Sequence, residues 1–123
     1  MDYQFSFDAT HTLVVKCSMG HEAIARWAND ELPHTAEAIS ALKARIERAI
    51  AHHQSAVETV PGHEFDLIFD GCDVCVLAHS LGAPYDEMFD DALHEYDAEL
   101  VASCGSDDFV AFLEHLQAFL AGR

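Results

Sequence analysis

At 123 residues, with 50% apolar side chains and only 3 prolines, the chain is long enough for one compact domain and short for two. Twenty-two Asp and Glu against six Lys and Arg give a formal charge of −16, which argues against nucleic acid or an anionic membrane as a direct partner. No apolar run approaches the ~20 residues of a membrane span, and the start MDYQFSFDAT has neither the basic nor the apolar stretch of a secretion signal. A cytoplasmic location is therefore expected, with Cys17, Cys72, Cys75 and Cys104 read as thiols rather than as two bridges.

The first segment alternates. Tyr3, Phe5 and Phe7 share one face of a strand, and Leu13, Val15 and Cys17 alternate in the same way. A loop centred on Ala9, Thr10 and His11 lays Phe7, Phe5 and Tyr3 opposite Leu13, Val15 and Cys17, which predicts a hairpin. Residues 21–32 place Ile24, Trp27, Ala28 and Leu32 on one helical stripe that Pro33 ends. Residues 35–54 repeat the period with Ile39, Leu42, Ile46 and Ile50, with Thr35 as N-cap. Asp70-Gly71 signals a second hairpin with a two-residue turn, in which Phe69, Leu67 and Phe65 face Cys72, Val74 and Val76. A third helix is expected between Asp86 and Leu100, from Met88, Phe89, Ala92, Leu93 and Tyr96. In the last helix Ser106 serves as cap, Asp107 and Asp108 favour the positive N-terminal dipole, and Phe109, Phe112, Leu113, Leu116, Phe119 and Leu120 form the buried face.

The resulting order, ββααββαα, predicts a single α+β domain over residues 1–123, with an antiparallel sheet built from two hairpins and helices packed on one face. Charge is distributed unevenly along it. Residues 1–57 carry seven acids against Lys16, Arg26, Lys43, Arg45 and Arg48, whereas from Glu58 onward fifteen acids face only Arg123. No Gly/Ser/Pro linker separates the halves, so composition changes without a domain boundary.

Motifs for chemistry are sparse. Cys72-x-x-Cys75 followed by His79 has the residue types for zinc, but odd spacing on a strand sends the two thiols to opposite faces, Cys72 to the core and Cys75 to the surface. Acidic surroundings disfavour a Cys104 thiolate. His21-Glu22 lacks the second histidine of HExxH, and Gly-His-Glu occurs at both 20–22 and 62–64 in different predicted elements, so the repetition is read as chance. No phosphate loop, nucleophile elbow or calcium loop is present, so no catalytic residue, metal ligand or cofactor is assigned. The densest feature is the acidic run Asp86, Glu87, Asp90, Asp91, Glu95, Asp97 and Glu99, in which like charges recur three or four residues apart with only His94 among them.

The segments MDYQF, SMGHEAIARW at 18–27, PGHEFDLIFDGCDVCV at 61–76, DEMFDDALHEYDAEL at 86–100 and CGSDDF at 104–109 resemble the YacL family of small bacterial proteins over nearly the whole length. The resemblance implies a cytosolic bacterial protein and supplies no catalytic residue. It further implies Glu-rich residues after the Asp70-Gly71 turn where this chain has Cys72 and Cys75, which weakens the zinc reading.

Charge then leads to the functional expectation. It is a non-enzymatic interaction protein that presents its acidic face to a basic protein surface, with transcription or translation machinery the natural pool of such surfaces. The alternative is a metal-binding protein or metal-dependent enzyme that uses some of the nine histidines with carboxylates. Self-association is a third reading, with the aromatic stripe of the last helix hidden in a homodimer.

Overall fold

The structure is a computed structural model and describes residues 1–79 and 100–122. The expected helix over 86–100, together with its seven carboxylates, lies outside the described residues apart from Leu100. The elements run β1 (Tyr3–Phe7), β2 (Leu13–Cys17), α1 (Glu22–Asp30), α2 (Ala36–Ala51), β3 (Glu58–Val60), β4 (Phe65–Phe69), β5 (Asp73–Ala78), β6 (Val101–Gly105) and α3 (Ser106–Ala121). The class is α+β, as the order of elements implies.

The first hairpin has the expected register, with Tyr3, Phe5 and Phe7 opposite Cys17, Val15 and Leu13. It forms a two-stranded sheet of its own, whereas β3-β4-β5-β6 form a separate antiparallel meander. The single sheet expected from two hairpins is therefore two sheets. α1 joins them, touching β2 on one side and β4, β5 and β6 on the other. Its sequence suits that position: Ala23, Ile24, Ala25, Trp27 and Ala28 are all buried, and the alanines let two sheets approach one short helix. α2 and α3 pack on each other, and α3 also touches β1, β5 and β6. Phe65, Phe69, Phe109, Phe112, Ile24, Ile39 and Ile46 are among the fully buried side chains, each contributing about 1.5–3 kcal/mol relative to exposure.

The caps and ends follow local chemistry. Thr35 Oγ1 accepts the Ala38 N–H at 3.2 Å and starts α2 as expected. α1 ends at Asp30, ahead of Pro33, as the Glu31 and Leu32 N–H groups both turn back to the Trp27 carbonyl. Ser106 is not the cap of α3, which is Gly105. Ser106 is instead buried in the first turn, its N–H donating to the Cys72 carbonyl at 2.8 Å and its Oγ to the Asp70 carbonyl at 3.0 Å. That pair of bonds ties the start of α3 to the β4–β5 turn.

The same turn corrects the second hairpin. Phe69, Leu67 and Phe65 pair with Val74, Val76 and Ala78, two residues beyond the expected register. The cause is Asp70: its Oδ1 accepts the N–H groups of Cys72 and Asp73 at 2.8 and 2.9 Å, which closes a longer loop than a two-residue turn. A slip of two keeps the apolar partners on their face. It also pushes Cys72 out of the ladder to the surface, while Cys75 keeps the face opposite the main core and is buried there between Ile68 and Ser103, so the expected fates of the two thiols are reversed. Burial is not confined to the face that carries the main core, because Ile68, Cys75, Leu77 and Val101 on the other face are buried too.

Gly71 serves the turn by its size, not by a left-handed φ. A Cβ there would lie 2.8 Å from both the Ala49 carbonyl oxygen and the Gln54 nitrogen at the end of α2. Gly71→Ala is expected to destabilise the fold by about 1–3 kcal/mol, the usual cost of overpacking. Gly122→Ala, whose Cβ would meet nothing closer than the Ala118 carbonyl at 3.4 Å, is expected to stay within about 0.5 kcal/mol. Urea unfolding of the two variants measures the difference, and equal midpoints would contradict the close approach.

Candidate functional site

Among the described residues, carboxylates concentrate their hydrogen bonds at one corner, the loop 61–64 leading into β4. Glu31, just past the end of α1, accepts three successive backbone N–H groups there: His63 at 3.0 Å, Glu64 at 2.7 Å and Phe65 at 2.7 Å. Successive N–H groups directed at one carboxylate make an anion-binding nest, here filled by the chain's own side chain. Gly62 is required for the approach, because a Cβ on it would lie 2.3 Å from the Phe65 carbonyl oxygen and 2.6 Å from Glu31 Oε2.

Asp66 in β4 braces the same corner from the sheet. Its Oδ1 accepts the Gly62 N–H at 3.2 Å and lies 2.7 Å from Nε2 of His79, whose own backbone N–H donates to the Glu64 carbonyl at 2.8 Å. Arg26 on α1 lies over the Phe65 ring with its Cζ 5.0 Å from the centroid. Arg26, His63, Glu64, Phe65, Ala78, His79 and Leu100 line a half-open cavity of about 340 Å³.

Two acid–base groups of this corner, Glu31 and His79, shift in opposite directions from their ordinary values. Burial pushes the Glu31 carboxyl up, but its three backbone hydrogen bonds together outweigh that and hold it below the usual glutamate value. The hydrogen bond to Asp66 raises His79 most; burial opposes it, and the charges of Asp66 and Glu31 add to the rise. The arrangement favours the charged form of the imidazole beside its carboxylate partner. Among the described residues that line the cavity there is no Ser, Thr or Cys.

Three of the thiols, Cys17, Cys75 and Cys104, lie elsewhere and are held protonated. Burial pushes Cys75 up to about 12, Cys104 up to about 12 with Asp108 adding, and Cys17 up to about 11 with Glu22 adding. For Cys104 burial is the main cause and acidic surroundings the lesser one. No three His, Cys, Asp or Glu among the described residues are grouped so as to hold a metal ion. No helix among them is long and apolar enough to cross a membrane.

The acidic residues singled out from the sequence, Asp86 to Glu99, lie outside the described residues, so the structure does not say which of them it brings together. The corner was not legible as a site. Its one sequence signal was the second Gly-His-Glu, at 62–64. The copy at 20–22 closes on itself, with the Gly20 N–H donating to its own Glu22, whereas the copy at 62–64 is gripped by Glu31 from thirty residues upstream.

Comparison with known proteins decides the family. A family model described as "Uncharacterised protein family (UPF0231)" matches residues 1–120. The chain belongs to the UPF0231 family, which is the YacL family of its sequence resemblance. It is 38% identical over 122 residues to a UPF0231 protein of Mannheimia haemolytica, covering 98% of this chain and 97% of that one. It is 37% identical over 125 residues to a UPF0231 protein of Erwinia tasmaniensis, covering 100% of both. A UPF0231 protein of Haemophilus ducreyi is 38% identical over 121 residues, covering 97% of this chain and 96% of its own. No solved structure matches.

Two outcomes test the corner. Glu31→Gln keeps the shape but loses the charge on three bonds, and is expected to cost roughly 1–2 kcal/mol at neutral pH. Because the folded carboxyl sits below its unfolded value, this contribution is present above the unfolded glutamate value and is lost as pH falls through the folded one. The gap between wild type and variant in urea unfolding should therefore close on acidification. Separately, the His79 ring, followed by NMR, is expected to titrate above the ~6.5 of a free histidine and to move back down in Asp66→Asn. In stability the sign is opposite to that of Glu31: the pair contributes below the unfolded histidine value and is lost as pH rises through the folded one. A titration unchanged by Asp66→Asn would contradict the pairing.

Proposed function

We propose that this UPF0231 protein is a cytoplasmic, non-enzymatic interaction protein that docks a basic protein surface through the acidic residues of its C-terminal half: Asp86, Glu87, Asp90, Asp91, Glu95, Asp97 and Glu99. The observation that carries the reading is the imbalance of 22 carboxylates over six Lys and Arg. Even with every cation paired one to one, sixteen carboxylates are left without a Lys or Arg partner in the same chain. Arg45 and Lys43 are examples of cations that already have partners among the described residues. Arg45 pairs with Glu58 at 3.2 Å, and Lys43 lies 4.0 Å from each of Glu47 and Glu114.

Such a surface attracts cations of another molecule and repels phosphate backbones. Proteins that handle nucleic acid expose the matching basic surfaces, so transcription or translation components are the partner class this reading favours. Each exposed ion pair contributes only about 0.2–1 kcal/mol, so specificity depends on several acting together.

The experiment is a pull-down with the purified chain and with a variant in which the seven acids are changed to Asn or Gln. Partners of the wild type are expected to be basic, to be released as salt shortens the screening length from about 10 Å at 0.1 M towards about 3 Å at 1 M, and to be absent with the variant. Partners that persist at high salt, or that bind the variant equally, would contradict the reading.

A further inference from the structure

We draw no further inference here: the strongest candidate, the cavity between α1 and the end of the β4–β5 hairpin lined by Arg26, His63, Glu64 and His79, brings side chains of both signs together, with Arg26 already over the Phe65 ring and His79 already bonded to Asp66, so nothing in the structure selects an anionic, cationic or neutral ligand for it.

Discussion

A chain with 22 carboxylates and six Lys and Arg cannot stabilise its acids by ion pairing, and the described structure shows what it uses instead. Backbone N–H groups at turns and element ends take the place of cations. Asp8 accepts the N–H groups of Thr10 and Thr12, Glu22 that of Gly20, Glu31 those of residues 63–65, Asp66 that of Gly62, and Asp70 those of Cys72 and Asp73. These donors are neutral dipoles. They satisfy the carboxylate oxygens and shape the loops without cancelling the charge.

The geometry of the fold follows from that substitution. Asp70 sets the length of the β4–β5 turn and so the register of the hairpin, and the exposed carbonyls of that turn receive Ser106 and fix where α3 begins. Glu31 reaches across from the end of α1 to hold the entry to β4, which fastens the helix shared by the two sheets to the larger of them. The same economy leaves a strong external field, which is what recommends a cationic surface as the partner of this UPF0231 protein.

Much of the fold was legible where the pattern was local and regular. The alternation Tyr3-Phe5-Phe7 against Leu13-Val15-Cys17 gave the first register, and the stripes of α1, α2 and α3 gave three helices. What escaped was decided by long-range or side-chain chemistry. β3 is only three residues, Glu-Thr-Val, and becomes a strand because β4 lies beside it; β6 reads Val-Ala-Ser-Cys-Gly, too short and too mixed to show a period. The second hairpin slipped because Asp-Gly signals a two-residue turn only when the Asp side chain leaves the loop backbone alone, and here it does not. Ser106 looked like a cap because serine before two aspartates usually is one; its hydroxyl was taken by a turn thirty-six residues away. Of the corner around Glu31 the sequence showed only the second Gly-His-Glu, since nothing local marks a glutamate that will bind backbone far along the chain.

Whether the carboxylate surplus is uncompensated within the folded molecule is measured most directly by the unfolding free energy at neutral pH as a function of sodium chloride. If neutral backbone donors hold the acids and the charge remains, added salt screens self-repulsion and stability rises. If instead internal ion pairs dominate, screening weakens them and stability falls with salt, and the proposal of an anionic surface available to a basic partner is contradicted.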